Sequence, residues 1–196
     1  MTLDISIHAR QWAASQSAST HKVETTGLLV VFGGNGKGKS TAAFGMAQRA
    51  LLHNLRVGVV RFLSGPELSS DARALGKHAL CDVKEFGGGC SWDATRRIAD
   101  KGEVAAGWRE AKRMLDDPTY KMVILDDLSW IIHHGYLDID TVSRALRARR
   151  RDAHVVLAGR YMPHEWMDMA DMATEMRQVS HPYPNKAIAP QAGVDF

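Results

Sequence analysis

The sequence has little cysteine. Its 196 residues include two, Cys81 and Cys90. Two thiols cannot build a cysteine metal cluster, and their spacing fits no zinc pattern. They point to core or pocket thiols in a reduced setting. No apolar run approaches the ~18 residues of a membrane span. Met1 to Gln16 carries neither the basic start nor the continuous apolar stretch of a signal peptide. The expectation is a cytoplasmic protein with no membrane partner. Net charge is also small: 25 Lys and Arg stand against 22 Asp and Glu, giving +3. That balance does not demand nucleic acid, although it permits a polyanionic ligand. The densest basic cluster, Arg144, Arg147, Arg149, Arg150 and Arg151, has no interleaved aromatics to stack bases, so nucleic acid is not an expected partner. It falls late in a helix, where the dipole favours positive charge. No internal repeat is present. Adjacent histidines, as in His133-His134, point in different directions on a helix and do not form a chelating pair.

What is present is an ordinary globular composition, 45% apolar and 24% charged. The length suits one domain. Residues 1–26, rich in Ser, Thr, Ala and Gln, read as a flexible arm; residues 27–196 read as the folded domain with an irregular, proline-bearing tail. Continuous apolar runs mark buried parallel strands at 28–32, 56–62 and 122–125, with further strands at 83–86, 154–158 and 174–179. Helices are expected at 41–53, at 103–115 with Val104, Trp108, Ala111 and Leu115 on one face, at 139–148 behind an Asp138 cap, and at 163–170. Alternating strands and helices give an α/β fold, a mostly parallel sheet with helices on both faces. Met162, Met167, Met169, Met172 and Met176 read as adaptable core or interface filler.

The sharpest motif is Gly33-Gly34-Asn35-Gly36-Lys37-Gly38-Lys39-Ser40-Thr41. From Gly33 to Ser40 it satisfies G-x-x-x-x-G-K-[ST], after a buried strand and before a helix. The glycines let backbone N–H groups converge on phosphate oxygens, and the helix N-terminus adds partial positive charge. Lys39 neutralises phosphate, and the Ser40 hydroxyl is placed to coordinate Mg²⁺. The fold is therefore P-loop NTPase-like (RecA-like), with a nucleoside triphosphate as the expected ligand. A second signal agrees: the run Met122–Leu125 ends in Asp126-Asp127, acids placed to help hold the metal. Arg160 follows a strand at the edge where ligands bind in open parallel sheets. Phosphate contact and a structural ion pair both stay open for it.

The loop carries an extra lysine, Lys37, and three closely spaced glycines. With Thr41-Ala42-Ala43-Phe44-Gly45, Gly89-x-x-Trp92, Leu125-Asp126-Asp127-Leu128, Gly159-Arg160, Thr174-Glu175-Met176-Arg177 and Gln191-x-Gly193-Val194-Asp195-Phe196, the chain from Gly27 onward resembles the P-loop class of ATP:corrinoid adenosyltransferases. The resemblance implies that the reduced cobalt of a corrinoid attacks C5′ of ATP and releases triphosphate. It implies Mg²⁺, a homodimer and a reductase partner. It assigns Gly33 to Thr41 to the triphosphate, Ser40, Asp126 and Asp127 to the metal, and Cys90 and Trp92 to the corrinoid pocket. Lys39, Asp127 and Trp92 become the catalytic set. Cys90 stands where the family normally has Phe, and Asp127 where it has Glu. These departures keep other readings open: a paralogue that binds ATP or corrinoid as a regulator or chaperone, a different reduced acceptor, or an ordinary ATPase or kinase.

Overall fold

A computed structural model describes residues 26–63, 69–87, 101–182 and 188–194. Among these residues six strands form one all-parallel sheet. They are β1 (Leu29–Gly33), β2 (Arg56–Arg61), β3 (Cys81–Glu85), β4 (Tyr120–Asp126), β5 (His154–Ala158) and β6 (Met172–Glu175), in the order β3-β2-β4-β5-β1-β6. The helices are α1 (Lys39–Leu52), α2 (Ser70–Leu75), α3 (Lys101–Asp116), α4 (Leu128–His133), α5 (Ile139–Arg147) and α6 (His164–Met169).

The continuous apolar runs become central strands because both sheet faces are covered. Alternate residues separate into two cores. Leu29 and Val31 of β1, Val123 and Leu125 of β4, and Val155 and Leu157 of β5 face α3, α4, α5 and α6. Val30 and Phe32, Met122 and Ile124, and Val156 and Ala158 face α1 and α2. In α3 the predicted stripe of Val104, Trp108, Ala111 and Leu115 is buried. Asp138 caps α5 as expected, its carboxylate accepting the Thr141 N–H at 2.8 Å. Trp166 of α6 is fully buried and donates its indole N–H to Ser143 Oγ at 2.9 Å.

Some boundaries differ from the sequence expectation. Helix α1 begins at Lys39, two residues before the predicted start, because Gly38 in the left-handed region (φ 101°) already turns the chain into the helix. The last strand lies at Met172–Glu175, not 174–179. All four of its residues are exposed, so no burial pattern marked it. The chain after it leaves the sheet to run beneath the glycine-rich loop. The short helix α2 carries too few periods to be read from apolar spacing. The methionines divide: Met162, Met167 and Met169 pack on one core, Met176 on the other, and Met172 is exposed.

Candidate active site

Parallel pairing brings all the carboxyl ends of the strands to one edge. In register, one row crosses the sheet as Glu85, Arg61, Asp126, Ala158, Phe32 and Thr174. The candidate site is built on that row, as expected where ligands bind in open α/β sheets.

The loop from Gly33 to Gly38 joins β1 to α1. Gly34 and Gly38 adopt φ of 92° and 101°, values that L side chains disfavour. Its backbone lies against the segment after β6. Gly36 N–H donates to Met176 O at 2.6 Å, and Met176 N–H donates to Gly33 O at 2.9 Å. A Cβ on Gly34 or Gly36 would lie 2.4 or 2.7 Å from that Met176 carbonyl oxygen, so the approach requires glycine at both. Asn35 Oδ1 accepts the Gln178 N–H at 2.9 Å. No acidic side chain occupies the first turn of α1, which leaves its positive end available to an anion.

Lys39 is buried, and its ammonium donates to Gly36 O. Burial first, and then the Arg160 guanidinium, hold its pKa below the usual lysine range, against the opposing pull of Asp127 and Asp126. A phosphate at the loop would supply the negative charge that this buried cation lacks.

Ser40 Oγ donates to Asp126 Oδ1 at 2.8 Å. Asp126 is fully buried, and Arg61 holds its other oxygen, Nε to Oδ2 at 3.3 Å. Arg61 also binds Glu85 at 2.6 Å. Burial raises the Asp126 pKa, opposed by Arg61 and Ser40. Asp127 heads α4 with a left-handed backbone, φ 58°, its N–H donating to Ala158 O at 2.7 Å. Burial and the neighbouring Asp126 push its pKa up to about 7. One serine hydroxyl and two carboxylates form a hard oxygen donor set that suits Mg²⁺ completed by phosphate and water. No group of three or more His, Cys, Asp or Glu poised for a metal occurs among the described residues.

The turn after β5 closes the other side. Gly159 N–H donates to Phe32 O at 3.1 Å. The Arg160 carbonyl accepts from Ser129 Oγ at 2.6 Å, and the exposed Arg160 guanidinium acts electrostatically on both Lys39 and Asp127. The structure therefore brings together Gly33 to Thr41, Asp126, Asp127 and Arg160. Cys90 and Trp92 lie outside the described residues. Sequence reasoning missed Arg61, Glu85 and Met176. The first two carried no motif, and the third looked like part of a strand.

Sheet, loop and buried acid define a P-loop nucleotide-binding α/β protein. A family model described as ATP:corrinoid adenosyltransferase BtuR/CobO/CobP matches residues 25–196. The chain is 38% identical over 173 residues to the corrinoid adenosyltransferase CobA of Salmonella typhimurium, covering 88% of this chain and 87% of that one. It is 39% identical over 172 residues to a corrinoid adenosyltransferase of Pseudomonas aeruginosa, covering 87% and 84%. A third relative, the corrinoid adenosyltransferase of Escherichia coli, is 36% identical over 170 residues, covering 87% and 86%. The chain belongs to the ATP:corrinoid adenosyltransferase family, and ATP and a corrinoid are the substrates that family implies.

Proposed function

We propose that this protein transfers the 5′-deoxyadenosyl group of ATP to the reduced cobalt of a corrinoid. Cobalt(I) supplies an electron pair to C5′, the cobalt–carbon bond forms, and the C5′–O bond breaks with its electrons leaving on triphosphate. The corrinoid is itself the nucleophile, so the chain's residues position, neutralise and exclude water. The loop amides from Gly34 to Thr41, with Lys37 and Lys39, bind the triphosphate. Lys39 leaves its Gly36 carbonyl for a phosphate oxygen and offsets the charge that grows on the leaving group. Ser40, Asp126 and Asp127 hold Mg²⁺, which supplies charge neutralisation at the phosphates. Arg160 contacts phosphate from the β5 edge, and Cys90 and Trp92 line the corrinoid face.

The observation that carries this reading is the Ser40–Asp126 hydrogen bond of 2.8 Å. It joins the last position of the phosphate loop to a buried acid, in a chain of this family. The arm and domain division belongs to the same proposal. It is supported at Gly27, which is buried against the Ala153 backbone and donates to Arg151 O at 2.6 Å. So do a homodimer, a reductase partner and a cytoplasmic setting, all drawn from the resemblance. No helix among the described residues is long and apolar enough to cross a membrane.

The test is an anaerobic assay with Mg-ATP, a reductant and cobalamin or cobinamide. Adenosylated corrinoid should form in step with triphosphate, and Lys39→Ala should lose both. ATP bound without either product, or ADP and phosphate as the products, would overturn the proposal.

A further inference from the structure

Tyr161 stands in a backbone conformation that its side chain disfavours. Its φ of 55° is left-handed, where a bulky residue is an outlier and where such strain collects at ligand sites. The ring is 54% exposed, yet it is held. The His133 imidazole stacks on it with centroids 4.1 Å apart and planes 7° apart. His134 meets it edge-on at 6.2 Å, and His134 lies 3.9 Å from the ring of Trp130, which is buried in the core. Tyr161 is thus the outer step of an aromatic ladder rooted in α4.

Its neighbours in the chain both reach the phosphate-loop site. Arg160 is tied to α4 through Ser129 and acts on Lys39. Met162 packs on the first residue of the loop: a Cβ on Gly33 would lie 3.0 Å from Met162 Cβ. Tyr161 is thus the residue between Arg160 and Met162, on the turn that follows β5.

We propose that the exposed face of Tyr161 is the platform on which the purine base of the bound nucleotide stacks, with His133 backing the ring. The inference rests on the reading of the loop as an ATP site. A preorganised ring loses little freedom on binding, and base–aromatic stacking needs only a flat π-face. The nucleotide then has two anchors: the loop for its phosphates and Tyr161 for its base. Together they fix the ribose between them, where C5′ must be presented. The left-handed backbone is retained because it directs the ring, whereas glycine would hold the same turn without strain.

Calorimetric titrations with Mg-ATP and with Mg and inorganic triphosphate, on wild type, Tyr161→Phe and Tyr161→Gly, test this. Phe keeps a stacking face and should bind ATP as wild type does. Gly relieves the backbone and should melt no more than a few degrees from wild type. It should bind ATP about 5- to 100-fold more weakly, the loss of one stacked base, while inorganic triphosphate binds unchanged. Unchanged ATP affinity in Tyr161→Gly would overturn the proposal. So would equal weakening of ATP and triphosphate, which would mean a distorted loop. Wild-type ATP binding in the same series reports on the underlying reading separately.

Discussion

The Ser40 hydroxyl donates a 2.8 Å hydrogen bond to Asp126 Oδ1 across a sequence separation of 86 residues. It ties the first turn of α1 to the end of β4 and leaves Asp126 with its second oxygen on Arg61. The same guanidinium binds Glu85 and lies 5.9 Å from the Phe44 ring centroid. The acid is thus fixed by α1 on one side and by β2 on the other.

Arg61 is 12% exposed and its partner Asp126 is 1% exposed. Arg61→Met should leave two carboxylates facing each other across β2 without the guanidinium between them. Breaking a buried pair in this way costs about 3–5 kcal/mol, with the lower end expected because Glu85 retains some access to water. Urea denaturation measures the loss. The Mg²⁺ concentration needed for half-maximal adenosylation should shift at the same time, since the Asp126 carboxylate is then held only by Ser40.

Gly159 has no room for a side chain. A Cβ there would lie 2.3 Å from Ser129 Oγ and 3.3 Å from Asp127 Cα. Gly159→Ala should displace the head of α4, and with it Asp127 and the Arg160 turn. A destabilisation of about 1–3 kcal/mol is expected for such overpacking, with a larger proportional fall in adenosylation. A variant with full activity and unchanged thermal unfolding would refute this account of the turn.

Trp166 and Ser143 are both buried, and the indole N–H donates to the hydroxyl at 2.9 Å. Trp166→Phe removes the donor and part of the ring. It should cost about 1–3 kcal/mol, the penalty of a buried polar group left without its partner. Trp166→Phe paired with Ser143→Ala should recover part of that loss. Equilibrium unfolding of the single and double variants checks the coupling.

Burial pushes the Cys81 thiol up to about 11. The neutral thiol is therefore favoured in the folded protein, while the unfolded chain ionises near the ordinary value of 9.0. This contribution to stability is whole below pH 9 and is lost as pH rises from 9 through 11. In a Cys90→Ser background, a thiol reagent at pH 8 should label Cys81 only when denaturant is present, because the thiolate is the reactive form. Rapid labelling of the native protein would contradict the burial.

The phosphate loop was legible because its chemistry is consecutive: glycines, Lys39 and Ser40 act from adjacent positions. The parallel sheet was legible because central strands need unbroken apolar runs, as in β1 and β4. Edge strand β6 was misplaced because its exposed residues carry no burial signal, and its neighbour Met176 serves the loop instead. The Glu85–Arg61–Asp126 row has no sequence signature, since its members come from three strands.

The sequence by itself determined that a strand, a phosphate-binding turn and a helix follow one another, and that an acid ends a second buried strand. Local backbone preference and apolar periodicity are short-range, and they suffice for that much. Only the tertiary structure decided that this acid meets Ser40, that Arg61 sits between it and Glu85, and that Tyr161 stacks on His133. Those relations depend on strand order and register, which are set by how two covered sheet faces pack and not by any neighbouring pair of residues.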